Sequence, residues 1–447
     1  MFSGRLYRTL HKGYRYELIL IILAVMLSAG CNEDRVIVAP PDDAPVYTLS
    51  DFTSAAACSA CHPQYFSEWS GSMHRYSTAD PIWMLSNNSL QQSTGGRLGK
   101  TCFQCHAPVG FLTGNTKEVF EFSDLDPLVG EGITCDFCHV LRPPYLSTNQ
   151  SVRYTVDPGG VKYGTMTNPV ASSAHTHGYD PDFDRSVVCR QCHDLTVNNV
   201  PVEITFTEWQ DSPWGAMSVE CQACHMRTYT GRAVPGGPVR PDLHRHTFAG
   251  VDVAITEFPN KAEQRAEIDS LLKNSASMDL ELPSLAATGD TVRASVRVRN
   301  DKTGHNLPTS VFFNRQMWIE ITVWRRTDTL YRSGHFDANG DLMDAKSALN
   351  PNGDPDLTIF GGTLYKNGEE SNVFELDSLV NNTIPPFGAR TATYGFVPRE
   401  AGQWNVKARL LFRPFGPYLF RALGADAYVT ELPVFEMVVR ESILTVY

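Results

Sequence analysis

From about residue 277 to the C-terminus, apolar and polar residues alternate in short runs. "DTVRASVRVR", "QMWIEITVWR", "TATYGFV", "NVKARLLF" and "PVFEMVVRE" carry the period-two pattern of strands with one buried face. Turn-forming stretches such as "DANGD" and "PNGD" separate them. The pattern predicts an all-β domain over 277–447, with a sandwich as its architecture. Just upstream, "AEQRAEIDSLLKN" has its apolar residues at helical spacing, which predicts a connecting helix within 256–276.

Residues 51–255 sustain neither period. Glycine and proline interrupt them often, so this stretch reads as a separate domain with sparse, mainly helical or irregular structure. At the N-terminus, Arg5, Arg8, Lys12 and Arg15 precede the apolar run "LILIILAVMLSAG". That run is shorter than the ~20 residues a spanning helix needs, so 1–31 reads as an export signal. It ends in "LSAGC", which resembles a bacterial lipoprotein box and makes Cys31 the expected lipidation site. Residues 32–50, with "VIVAPPDDAPV", read as a proline-rich tether. The expected location is the periplasm or cell surface, with a lipid anchor holding the protein to a membrane.

Net charge is −11. No basic patch is available to neutralise phosphates, so nucleic acid is excluded as a partner. Other redox proteins of the envelope fit an acidic surface better, for the reason that follows.

Apart from Cys31, every cysteine belongs to one repeated motif: "CSACH" (58–62), "CFQCH" (102–106), "CDFCH" (135–139), "CRQCH" (189–193) and "CQACH" (221–225). Cys-x-x-Cys-His is the covalent haem attachment signature. Two thiols three residues apart share a face of one helical turn and reach the two vinyl groups of one porphyrin. The adjoining histidine then ligates iron. Zinc ribbons and disulfides also use paired cysteines, but neither accounts for a histidine after every pair. The cofactor expected is haem c, five per chain. Attachment is by Cys58, Cys61, Cys102, Cys105, Cys135, Cys138, Cys189, Cys192, Cys221 and Cys224, with His62, His106, His139, His193 and His225 as proximal ligands. So little polypeptide per porphyrin means that the haems supply much of the core.

Each iron has a second axial position. A filled one makes an electron carrier, and an open one can bind a small molecule. Outside the motifs and the export signal, the histidines are His74, His175, His177, His244, His246, His305 and His335. All but His335 are candidate distal ligands. Of His175 and His177 in "SSAHTHGYD", one is expected to ligate while its neighbour hydrogen-bonds or shields. An internal echo adds to this: "EWSGSMH" (68–74) follows the first motif and "EWQDSPW" (208–214) follows the fourth. It reads as a duplicated haem-pair unit in which Trp214 replaces His74.

The segments "CSACHPQYFSEWSGSMH", "VVCRQCHDLTVNNVPVEITFTEWQDSPWGAMSVECQACHM" and "HRHTFAG" resemble the bacterial multihaem cytochromes c. That family is related to the tetrahaem carrier of ammonia oxidation, hydroxylamine oxidoreductase and pentahaem nitrite reductase. The resemblance covers about 51–250. It implies distal ligation by His74, by His246 and by one of His175 and His177. It also implies that "TGHNLPTS", "FFNRQMWIEITVW" and "YRSGHFDANGDL" belong to the β-sandwich that follows many such haem domains; His305 there reads either as a distal ligand donated across the interface or as a turn histidine with a structural hydrogen bond. No motif has lysine in place of its histidine, which departs from pentahaem nitrite reductases. No tyrosine is marked as the cross-linked one of hydroxylamine oxidoreductases, and no catalytic residue is assigned.

The leading expectation is therefore an exported pentahaem electron carrier with His/His ligation. One alternative is an oxidoreductase acting on a small nitrogen or sulfur compound at one five-coordinate haem. Another is a subunit of a haem-stacked conductive filament. Asp337, Asn339 and Asp341 alternate as calcium ligands do, but Leu342 and Ala348 break the EF-hand pattern, so a plain turn is expected.

Overall fold

The computed structural model describes residues 47–148 and 151–447, which fall in one compact unit. The expected export signal, Cys31 and most of the tether lie outside the described residues. Among the described residues no helix is long and apolar enough to cross a membrane.

The part carrying the cysteine motifs is built from short helices. The longest, Pro81–Thr94, shows why it starts and stops where it does. The Asp80 carboxylate accepts the Ile82 N–H at 2.9 Å, Pro81 takes the first helical position, and Gly95 ends the helix at φ +63°. Four two-stranded ribbons lie between the helices: 141–148 with 151–156, 161–164 with 176–179, 195–197 with 200–203, and 228–232 with 239–244. These were not expected from the pattern. Val161–Gly164, for instance, is half-buried at every position, so it has no alternation to read.

The C-terminal part forms two main sheets. β1 (Ser277–Glu281), β2 (Val292–Arg299) and β5 (Ala389–Phe396) make one, in the order β5–β2–β1. The other runs β7–β6–β3–β4, from β3 (Gln316–Arg325), β4 (Asp328–Ser333), β6 (Gly402–Arg413) and β7 (Phe435–Val446). Two short strands, 285–286 and 358–360, extend it. Alternate residues of β2 (Val292, Ala294, Val296, Val298) and β3 (Met317, Ile319, Ile321, Val323) point into one shared core. Each buried Val or Ile there contributes about 1.5–3 kcal/mol. β3 is buried on its other face too, where Trp318 packs with Leu342 and Leu411.

The two parts share that core. The helix Lys261–Lys273 supplies Ile268 and Leu272, and the motif-bearing part supplies Ile82, Val253 and Ile255. The buried Arg315 also pairs with Asp252, Nη2 donating to Oδ2 at 2.9 Å. The Asp337 carboxylate is used within its own turn. It accepts from the backbone of Asn339 and Asp341 at 2.7 and 3.1 Å and from the Ser347 hydroxyl at 2.6 Å.

Candidate haem sites

Each motif closes a helical turn. His62, His106 and His193 donate their backbone N–H to Cys58, Cys102 and Cys189, at 2.8, 3.1 and 3.1 Å. Cys135–His139 and Cys221–His225 are short helices in their own right. The two thiols of a motif therefore face the same way, as attachment to one porphyrin requires.

Four of the five motif histidines are met at Nδ1. Those of His62, His139 and His225 donate to the carbonyls of Ala233, Tyr163 and Ala249, at 2.9, 2.6 and 2.6 Å. Nδ1 of His193 instead meets the Glu203 carboxylate at 3.4 Å. Burial works against protonating His193, but Glu203 outweighs it and raises its pKa to about 9. At His62, His139 and His225 a donor bond at Nδ1 leaves the lone pair on Nε2, the tautomer that ligates a metal.

Three of these imidazoles face a second one. His62 and His175 have ring centres 6.3 Å apart, His139 and His246 6.4 Å, and His225 and His305 6.3 Å, with planes 28°, 24° and 25° apart. Two metal–nitrogen bonds of about 2 Å, plus the half-widths of two rings, give roughly 6 Å between ring centres. The second histidines are also held through Nδ1: His175 by Thr176, His246 by His244 and His305 by Asn306, all through carbonyls at 2.9–3.2 Å. Burial lowers His246 to about 3 and His305 to about 4, keeping both neutral. The donor set and its spacing fit haem c.

The remaining histidines stand differently. His177 donates Nε2 to Met166 O at 2.6 Å, and His244 directs Nε2 at Asp184 at 3.0 Å and Nδ1 at Met226 O at 2.6 Å. Neither is brought opposite a motif histidine. His335 is bonded to Thr322 at 3.0 Å. His74 is half-buried, with its pKa lowered to about 3 by desolvation first and then by His193 and His225 beside it. His106 is half-buried as well and stacks on Trp83, ring centres 4.9 Å apart and planes 3° apart.

The echoed segments make matching contacts. Trp69 Nε1 donates to Ile133 O and Trp209 Nε1 to Val219 O, both at 2.8 Å. Each acceptor lies two residues before a motif, the third and the fifth. Ser72 and Ser212 cap the short helices that follow. The repeated unit therefore pairs motif 1 with motif 3 and motif 4 with motif 5. Motif 2 is inserted, which sequence order alone obscured. At the position equivalent to His74, Trp214 stacks on Phe387 at 5.7 Å.

Thiols of different motifs also meet. Cys58 contacts Cys135, Cys105 contacts Cys192, and Cys189 contacts Cys221. Cys138 lies within electrostatic reach of Cys192, and the Tyr154 hydroxyl is 3.3 Å from the Cys192 sulfur. Glu203, Tyr154 and Trp83 carry no motif signal and were not singled out from sequence.

The sequence model of the family described as cytochrome c554 and c-prime matches residues 57–140. Among solved structures, a penta-haem cytochrome c552 from Thermochromatium tepidum has a TM-score of 0.62 at 21% identity, covering 88% of this chain and 99% of its own. A cohesin module from Clostridium perfringens (TM-score 0.18, 8% identity, 39% and 97% covered) and a CARDB domain from Pyrococcus furiosus (0.17, 12%, 38% and 87%) overlap too weakly to carry an argument. No curated protein matches the chain. Residues 57–140 thus match the cytochrome c554 and c-prime family, and the chain has the fold of a multihaem cytochrome c.

Proposed function

We propose that the protein is an exported pentahaem c-type cytochrome that relays electrons in the bacterial cell envelope. It would be anchored through a lipidated Cys31 and serve neighbouring redox proteins. The observation that carries this reading is the set of three imidazole pairs at 6.3–6.4 Å. Haem c bound there supplies a one-electron iron couple with both axial positions filled. His74, beside His193, is the candidate fourth distal ligand. On this reading electrons pass through motifs 1, 3, 4 and 5 with motif 2 branching from motif 4, which the contacts Cys58–Cys135, Cys189–Cys221 and Cys105–Cys192 support. Cys61 and Cys224, at the two ends of that row, are exposed, which suits exchange with partners. The test is haem content with a reductive titration of the purified protein. Five covalent haems that all titrate at low potential are expected, and fewer than five would refute the reading.

One observation favours a second reading, reduction or oxidation of a small nitrogen or sulfur compound at motif 2. Among the described residues no histidine ring pairs with His106, and its stacking neighbour is Trp83. A ligand-sensitive high-spin signal from one haem in five supports it, and an entirely low-spin spectrum excludes it.

A further inference from the structure

The duplicated Glu-Trp-x-x-Ser segments have one more matching feature, in their glutamates. Glu68 is nearly buried and accepts the backbone N–H of His246 at 2.8 Å and Nη1 of Arg245 at 2.6 Å. Glu208 accepts the backbone N–H of Asn306 at 3.1 Å, its side-chain amide at 2.7 Å and the Thr309 hydroxyl at 2.5 Å. Both glutamates thus grip the backbone of a segment distant in sequence. Each segment carries an imidazole that faces a motif histidine: His246 opposite His139, and His305 opposite His225.

The tryptophan beside each glutamate is tied to the approach of that same motif. Trp69 holds Ile133 ahead of motif 3, and Trp209 holds Val219 ahead of motif 5. Glutamate and tryptophan therefore fix the two sides of one site from a single helical turn, and do so twice.

We infer that Glu68 and Glu208 are positioning residues for the distal histidines of the third and fifth haems. Glu208 also recruits a loop of the C-terminal sheets into the haem-binding part. The inference rests on the reading of His246 and His305 as axial ligands. Its physical basis is that each carboxylate aligns a backbone by charge-assisted hydrogen bonds, which are about twice as strong as neutral ones. Burial raises Glu208 toward 7; the bonds from Asn306 and Thr309 offset part of that desolvation.

The test uses the full-length holoprotein and low-temperature EPR of the oxidised state, normalised to covalent haem. Relative to wild type, Glu208→Ala is expected to add one high-spin haem per chain. Added imidazole should restore the low-spin signal, and Glu208→Gln, which keeps one acceptor, should retain most of it. Glu68→Ala should behave likewise at a different haem. His305→Ala runs alongside. If it adds a high-spin haem while Glu208→Ala does not, the positioning role is overturned and the ligand reading stands. If His305→Ala leaves the spectrum unchanged, the ligand reading itself fails. Should Glu208→Ala not mature with five haems, Thr309→Val removes one of the three bonds. It is then expected to release the low-spin signal at lower urea than wild type, and an unchanged threshold overturns the inference.

Discussion

The ring of His305 stands 6.3 Å from that of His225, with planes 25° apart, although His305 belongs to the loop entering β3 and His225 to the fifth cysteine motif. The loop is pinned from its own side: buried Asn300 and Thr303 both donate to the His305 carbonyl at 2.8 Å. It approaches the motif-bearing part so closely that a Cβ on Gly304 would lie 3.0 Å from the Trp209 ring. The C-terminal sheets therefore contribute to the redox part as well as covering it.

Exchanging His305, the proposed ligand, should change one potential. Thioether ligation raises haem potential relative to imidazole, so His305→Met should raise the midpoint of one haem and leave the others in place. Spectroelectrochemical titration reads this directly, and an unchanged set of midpoints would count against His305 as a ligand.

A carboxylate against a proximal imidazole has a related effect. Glu203 is only 9% exposed and lies 3.4 Å from His193 Nδ1, where the other anchored motif histidines meet carbonyls. Negative charge there favours ferric iron and increases ligand basicity. Glu203→Gln should raise the potential of the fourth haem and lower the chain's affinity for oxidised iron at that position alone. A uniform shift of all midpoints would point to a general structural effect instead.

The two tryptophan anchors offer a symmetric test. Trp69→Phe and Trp209→Phe each remove one hydrogen bond to a backbone carbonyl while keeping the ring. Each should cost about 1–2 kcal/mol, read from urea unfolding of the holoprotein. A large loss at one site with none at the other would argue against equivalent roles.

Asp80 links stability to pH. Burial raises its pKa from 3.8 to about 7, so the folded protein holds a proton that the unfolded chain has already released. That contribution is stabilising below about pH 4 and is lost as pH rises toward 7, on the order of 1–3 kcal/mol. Asp80→Asn keeps a helix-capping oxygen without the charge. It should melt a few degrees above wild type at pH 8 and nearly level with it at pH 4. An equal gain at both pH values would contradict the titration.

Legibility in the sequence followed from how regular each signal was. β3 occupies the run "QMWIEITVWR" that alternation marked, because a sheet with one face on a core imposes that period. The motif spacing is likewise local, being set within one helical turn. Val161–Gly164 escaped notice because a strand half-buried at every position has no period. His175 and His177 could not be separated by type or spacing. The difference lies in Nε2, which His177 commits to Met166 O while His175 stands opposite His62. The pairing of motif 1 with motif 3 depends on a contact from Trp69 to Ile133 across the inserted second motif, which no local signal could report.

We propose that imidazole pairs serve the haems of motifs 1, 3 and 5, with His74 as the partner of His193 at motif 4. Quantitative low-temperature EPR of the fully oxidised protein, normalised to covalent haem, tests it most directly. The prediction is five haems per chain, with those of motifs 1, 3, 4 and 5 low-spin. Fewer than five haems, or two or more high-spin ones, would contradict it.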